Sequence, residues 1–399
     1  MVSTNRYRDK DFKVVLTVAG NGMGDYTFNN LSIDIDKFDI IVCDRNFKES
    51  GDKILKLTFR EAKEYILKNY RSRNILYVVT GSPLFFSAGI LIAKGLPKDM
   101  VKIVDNQSSK GYLLEKLIVS ETEVNTLSLH GRDRVDLTKF LTNRYTFILC
   151  DRFSIERVKE AIEYLTPKDI TVTIGYKLGY SDEVIEEIDI FNFDHKKFDL
   201  TAPFVLLIEK KFQTKPLTKD IEYLTERGMI TKEYKRNLSL QNLDLEPNLI
   251  LWDIGAGSGS CAIEAYKRYK VKTILFEKQR IRCKFIKINL SNHFVLDTTL
   301  LEGEAENLFK KVTHIPDRIF IGGGGDRVIE KLPYLYNRLA DNGVMVINVI
   351  TLKNLSQMIR VLNSAKIKYK VISLSLTTYK GKLDLIEPER QLFQIKIVN

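Results

Sequence analysis

Two series of short apolar runs alternate with helix-compatible segments along this chain. In the first, Phe12 to Ala19, Ile40 to Cys43, Ile75 to Thr80 and Val101 to Val104 are β-branched runs that predict buried strands. Between them, Phe59 to Tyr70 spaces Ala62, Tyr65 and Ile66 as a helix does, and a second helix is expected after Ser109, to about Leu117. Thr126 to Leu129, Phe147 to Leu149, Ile170 to Ile174 and Val205 to Ile208 predict further strands, with a helix over Phe153 to Tyr164. The second series comprises Leu249 to Ile254, Thr273 to Phe276, Thr298 to Leu301, Arg318 to Ile321 and Gly343 to Ile350. A helix from about Leu352 to Ala365 and two late strands, Tyr369 to Leu376 and Leu392 to Val398, close the chain. Arg280 to Leu290 predicts a helix with Ile281, Phe285 and Ile288 apolar and its Arg and Lys side chains solvated. Alternation of this kind predicts α/β layers.

The pattern breaks once. Glu209 to Pro216 is polar and ends at a proline, after which the strand series restarts. The chain has 399 residues, more than one core usually holds. We therefore expect two domains, residues 1–212 and 213–399, joined by a short connector.

Composition changes this picture little. The chain is 44% hydrophobic and 28% charged, with no apolar run near the roughly 20 residues a membrane span needs. No signal-type apolar stretch follows the polar start, so a cytoplasmic protein is expected. Cys43, Cys150, Cys261 and Cys283 form no C-x-x-C pair and read as buried structural thiols. The four histidines have no ligand spacing, and no metal site is expected. The net charge of +11 is spread without a Lys/Arg block; it suits an anionic substrate without requiring nucleic acid.

Candidate chemistry starts at Asp253-Ile254-Gly255-Ala256-Gly257-Ser258-Gly259-Ser260. An apolar strand ends in an acid, a glycine turn follows, and then a helix. Glycine lets the backbone turn sharply and lets a ligand reach the main chain. The third glycine of a dinucleotide fingerprint would stand at position 260, which is serine, so the spacing suits S-adenosylmethionine better than a nicotinamide. Glu277 ends the next strand, where a carboxylate can accept both ribose hydroxyls. Glu304 and Ala305, after the third strand, would lie by the adenine. Gly322, Gly323, Gly324 and Gly325, after the fourth, project no side chain and leave room for a large planar substrate. Thr231 is expected to cap a helix that precedes the first strand.

In the first half, three strand ends carry small or polar residues. They are Gly20-x-Gly22-x-Gly24, Thr80-Gly81-Ser82-Pro83-Leu84-Phe85, and Asp105 to Ser109 with its Ser108-Ser109 pair. With His130-Gly131-Arg132 they resemble the tetrapyrrole (corrin/porphyrin) methylases over about residues 12–210, nearest to the carbon-5 methylases of cobalamin biosynthesis. That resemblance implies a two-lobed fold with the cofactor between lobes. It implies cofactor contacts at Gly20, Gly22, Gly24, Gly81, Ser82, Pro83, Ser108 and Ser109, and substrate contacts at His130 and Arg132. This chain departs from the family at Met23 (usually Pro), at Ser82 (usually Asp) and at Asp105-Asn106-Gln107 (usually Pro-Gly).

The second half resembles the carbon-15 methylating, decarboxylating partner of the same pathway over about residues 216–399. The match rests on Thr231-Lys232 with Arg236, Trp252 to Ser260, Glu302 to Ala305, Gly322 to Gly325, and Asn348 to Leu352. It implies a class I (Rossmann-like) methyltransferase fold with a final antiparallel strand. It also implies S-adenosylmethionine contacts at Thr231, Asp253, Gly255, Ala256, Gly257, Ser258, Gly259, Glu277, Glu304 and Ala305, with Gly322 to Gly325 and Asn348 toward substrate. Joined in this order, the halves resemble the fused precorrin-6Y C(5,15)-methyltransferases. The substrate would be a precorrin or cobalt-precorrin, no catalytic side chain is singled out, and a homo-oligomer is implied. Two alternatives stay open: an RNA methyltransferase, favoured by charge alone, and a C-terminal enzyme carrying a non-catalytic N-terminal scaffold. A nicotinamide oxidoreductase fits least.

Overall fold

The computed structural model describes residues 15–215, 217–323, 325–380 and 385–399. Contacts divide the chain into two compact units. One holds residues up to Val124 with Thr173–Glu187 and His195–Leu207; the other holds Asn125–Val172, Ile188–Asp194 and Ile208–Asn399.

The first sheet is built from β1 (Leu16–Gly20), β2 (Ile40–Cys43), β3 (Ile54–Lys56), β4 (Ile75–Val79) and β5 (Val101–Val104), in the order β3-β2-β4-β1-β5. Each of the four pairings is parallel. β1, β2 and β4 are buried at every position, as expected where helices cover both faces of a parallel sheet. Residues 12–14 of the first expected strand lie outside the described residues. The second sheet holds β6 (Val124–Ser128), β7 (Tyr145–Leu149), β8 (Ile170–Tyr176), β9 (Val184–Ile188) and β10 (Phe204–Lys210), in the order β6-β7-β10-β8-β9.

The third sheet contains β11 (Ile250–Ile254), β12 (Lys272–Glu277), β13 (Thr298–Glu302), β14 (Arg318–Ile321), β15 (Val344–Val349), β16 (Lys370–Leu374) and β19 (Leu392–Val398). β17 (Thr377–Lys380) and β18 (Leu385–Pro388) form a separate antiparallel pair that the hydrophobic pattern did not reveal. The order β13-β12-β11-β14-β15-β19-β16 runs parallel through β15, with β19 antiparallel to both neighbours. Strand order reverses between β11 and β14. In open α/β sheets the ligand crevice lies outside the carboxyl ends at such a point.

The third sheet is centred on Trp252, which is fully buried on β11. Its ring lies 5.2 Å from that of Phe276 on β12 and stacks with Phe309 at 5.9 Å. Leu251 faces the other way, into a cluster with Cys261 and Ala265 of the helix Ser260–Tyr269. Asp253, two positions on, shares that face.

Two helix readings are corrected. The helix before β11 is Glu233–Asn242, and its N-cap position is Lys232 rather than Thr231, with no side-chain cap bond. The Thr231 carbonyl instead accepts a hydrogen bond from Arg236 at 2.6 Å. The helix Arg280–Asn292 buries Cys283, Ile286, Asn289 and Leu290, whereas Ile281 and Ile288 are each 44% exposed. Apolar residues stand on adjoining faces there, and packing on the sheet selects the face that carries Asn289. Its amide donates to the Leu224 and Ser258 carbonyls at 2.9 and 2.8 Å.

Arg236 is fully buried and joins four groups. It donates to Glu264, to Asp220 at 2.9 Å, and to the Thr231 and Thr218 carbonyls at 2.6 and 3.1 Å. Glu264, also fully buried, accepts from Arg268 as well. This network ties residues 218–236 to the helix that follows the glycine turn. Arg236→Ala leaves buried acid and carbonyl oxygens unpaired and should lower unfolding free energy by about 3 kcal/mol or more in denaturant titration. A loss below about 1 kcal/mol would show that the network contributes nothing net.

Candidate functional site

The glycine turn after β11 depends on left-handed backbone. Gly255, Gly257 and Gly259 have φ of 73°, 61° and 77°. At Gly255 space is equally restrictive: a Cβ there would lie 2.2 Å from the Gly323 carbonyl oxygen. The Gly322 amide donates to the Ile254 carbonyl at 3.1 Å, so the turns after β11 and β14 meet backbone to backbone. Gly255, Ala256 and Gly257 are half-buried and present main chain to the crevice, while Ser258, Gly259 and Ser260 are buried beneath.

Two acids flank this turn. Glu277, the last residue of β12, is buried. Its Oε2 accepts the Gly257 amide at 2.9 Å and its Oε1 accepts the Gln279 amide at 2.9 Å. Each oxygen keeps lone-pair capacity for a further donor. Asp253 is 1% exposed, and among the described residues no donor reaches either carboxylate oxygen in ordinary hydrogen-bond geometry, the Ala262 amide approaching only loosely. Burial pushes its carboxyl up to about 7, the Glu277 carboxylate adds to the rise, and the Ala262 amide opposes it. Buried acceptors left unmatched beside an open glycine turn fit a ligand that carries hydroxyl and ammonium donors.

Glu304 precedes the short helix Ala305–Leu308. Its carboxylate lies 3.5 Å from Lys278, and Ala305 is buried. Gly323 and Gly325 are exposed and Gly322 is half-buried, leaving the β14 strand end bare of side chains; Gly324 lies outside the described residues. Asn348, on β15, does not stand free. Its amide donates to Ser239 at 2.9 Å and its oxygen accepts from Gln394 at 2.8 Å. Thr231 is held near the same helix by Arg236.

Of the first-half candidates, those on the turns after β1 and β4 meet. Gly20 ends β1 and Gly22 and Gly24 follow it, while Gly81 and Ser82 follow the adjacent β4. The Gly22 and Gly81 amides and carbonyls exchange hydrogen bonds of 3.2 and 2.8 Å. A Cβ on Gly20 would lie 2.4 Å from the Gly81 carbonyl oxygen and 2.7 Å from the Pro83 ring, so these turns also touch through bare backbone. Ser108 caps the helix Ser109–Leu117, accepting the Gly111 amide at 3.0 Å. His130 and Arg132 are exposed on the turn after β6, where Asp151 accepts the Gly131 amide at 3.2 Å.

Gly179 carried no sequence signal: it lies against Gly24, where a Cβ would meet its carbonyl at 2.6 Å, and one glycine between strands is too common to single out. Asn106 stands in a strand end noted in the sequence, but its bond to the Gly20 carbonyl at 3.1 Å was not legible there. Arg236 had been noted in a motif, but nothing in the chain indicated its burial with Glu264. The cysteines are all buried, and burial pushes the Cys43 and Cys283 thiols up to about 11, away from nucleophilic use.

A family model described as "Precorrin methyltransferase domain" matches residues 222–399. A Pyrobaculum aerophilum protein named "Probable cobalt-precorrin-6B C(15)-methyltransferase (decarboxylating)" is 31% identical over 160 residues, 38% of this chain and 79% of that one. The chain belongs to the precorrin methyltransferase family. A second member, a precorrin-6Y C(5,15)-methyltransferase [decarboxylating] of Sinorhizobium sp, is 27% identical over 294 residues, covering 70% of this chain and 69% of that one. A 294-residue match exceeds residues 222–399, so similarity to this second precorrin methyltransferase extends into the first half. A crystal structure of precorrin-6y C5,15-methyltransferase from Geobacter metallireducens GS-15 is 29% identical, covers 47% of this chain and 100% of that one, and has a TM-score of 0.45.

The unmatched Asp253 carboxyl makes stability depend on pH. Between about pH 4 and pH 7 the unfolded chain ionises this group while the folded chain keeps it protonated, so stability falls as pH rises. The full window is worth on the order of 4 kcal/mol at most. Asp253→Asn should therefore gain in melting temperature relative to the wild type from pH 4 to pH 7; a difference that does not change with pH would refute the assignment. Gly255→Ala, which meets both the φ and the Gly323 restriction, should cost more than about 1 kcal/mol in thermal unfolding.

Proposed function

We propose that this chain is a bifunctional C-methyltransferase of cobalamin biosynthesis. Residues 213–399 would methylate carbon 15 of a precorrin or cobalt-precorrin and release the ring C acetate as CO₂. Residues 1–212 would methylate carbon 5. S-adenosylmethionine supplies an electrophilic methyl group on a sulfonium. The single observation that carries this reading is the similarity to the Sinorhizobium precorrin-6Y C(5,15)-methyltransferase over 70% of this chain, more than either half alone.

The site chemistry supports it. An electron-rich ring carbon is its own nucleophile, so no activated serine or cysteine is needed, and catalysis rests on placing carbon and methyl in line. The Gly255–Gly257 main chain and the Glu277 carboxylate would hold the nucleoside, with the two ribose hydroxyls donating to Glu277. Asp253 would take a donor from the amino-acid end. The bare Gly322–Gly325 edge would admit the macrocycle, and Glu304 with Ala305 would border the adenine. The net charge of +11, spread along the chain, is compatible with a substrate edged with carboxylates.

The direct test is methyl transfer from labelled S-adenosylmethionine to a precorrin-6-type substrate by the intact chain. Two labels per product and one CO₂ are expected, and no label in any product would refute the reading. Glu277→Gln should weaken binding of S-adenosylhomocysteine about tenfold, equivalent to one charge-assisted hydrogen bond of roughly 1.4 kcal/mol.

A further inference from the structure

In the first sheet β1 lies between β4 and β5, all parallel, so three carboxyl ends open on one edge. The glycine turn 20–24 and the Gly81 turn supply backbone there. The third turn, after β5, supplies a charged side chain. Ser82 is 5% exposed, and its hydroxyl donates to Asp105 Oδ1 at 2.5 Å. The Asn106 amide donates to the same oxygen at 2.9 Å. The Leu84 amide in turn donates to the Ser82 hydroxyl at 3.1 Å, which directs the hydroxyl hydrogen toward Asp105. One carboxylate oxygen is thus held by two donors. Asp105 is exposed, and among the described residues its other oxygen, Oδ2, has no hydrogen bond and the group has no ion pair.

The floor beneath this acid is rigid. Asn106 donates through Nδ2 to the Gly20 carbonyl at 3.1 Å and to the Asn30 carbonyl at 3.0 Å, and its Oδ1 accepts the Gln107 amide at 2.8 Å. A Cβ on Gly22 would fall 2.8 Å from that Oδ1. The β5 turn is therefore stapled to the β1 turn, and Asp105 cannot swing away without breaking the Ser82 and Asn106 bonds. A carboxylate with one oxygen committed and one free, at the edge where three parallel strands end, is arranged to accept a hydrogen bond from a ligand.

We propose that Asp105 is a ligand-binding acid of the first-half pocket, oriented by Ser82, and that its free oxygen accepts an ammonium or hydroxyl donor of the S-adenosyl cofactor. This rests on the reading that the first half binds the cofactor.

The experiment is calorimetric titration of the full chain with S-adenosylhomocysteine, which reads stoichiometry as well as affinity. Two sites are expected in the wild type. Asp105→Asn keeps an Oδ1 that Ser82 and Asn106 can still reach, so it should fold, and it should weaken one site at least tenfold while the other is unchanged. That second site serves as the internal control for folding. Adding Ser82→Asp to Asp105→Asn returns a carboxylate to the pair and should recover most of the loss. A parallel titration with methylthioadenosine separates the two donors: equal weakening assigns the hydroxyls, and weakening seen only with S-adenosylhomocysteine assigns the ammonium. Two sites that both survive in Asp105→Asn would overturn the proposal alone. One site in the wild type would overturn the underlying reading and the proposal together.

Discussion

The backbone of Gly255 packs so tightly on the Gly323 carbonyl that one added carbon would lie 2.2 Å from its oxygen. The arrangement of the second-half site follows from this contact. It brings the turns after β11 and β14 together where strand order reverses, and the Gly322 amide closes it onto the Ile254 carbonyl. With the turn held there, the Gly257 amide points at Glu277, and Asp253 is left beneath the helix start with only a loose approach from the Ala262 amide. Glycine is required at Gly255 because the space is filled, and the positive φ adds strain for any side chain.

The first half solves the same problem with different chemistry. Its glycine turns also touch through bare backbone, Gly20 on Gly81 and Gly24 on Gly179. Yet its β5 turn is built from polar side chains, with Asn106 spanning Gly20 and Asn30. Backbone contact gives close approach, and side-chain amides give fixed separation. The two sets of strand-end turns thus differ most in how the third turn is held.

Around the second site a buried ionic network costs desolvation and returns position. Arg236 and Glu264 are both fully buried, and together with Asp220 and Arg268 they fasten the segment entering β11 to the helix leaving it. An apolar substitute of equal volume could match the stability of such a network. It could not direct the Thr231 carbonyl and the Thr218 carbonyl to one guanidinium, and the path of residues 218–231 follows from that convergence.

Much of this was legible along the chain. Fully buried parallel strands read as apolar runs, so β1, β2, β4, β11, β12 and β14 were visible from local pattern. The acid-glycine turn was visible because few other sequences allow three left-handed residues in five. What local pattern could not supply was direction and distance. The helix Arg280–Asn292 carries apolar residues on adjoining faces, and only the sheet beneath it decided that Cys283 and Ile286 turn inward while Ile281 and Ile288 stay out. Thr231 reads as a cap, but its carbonyl bonds buried Arg236 and the N-cap falls one residue later, at Lys232. Residue type and spacing along the chain determined which strands form, which turns are tight and where acids end strands. Tertiary structure alone decided that Asp253 would be left without a well-placed donor and that Ser82 would find Asp105, because both outcomes depend on which strand ends the sheet order places side by side.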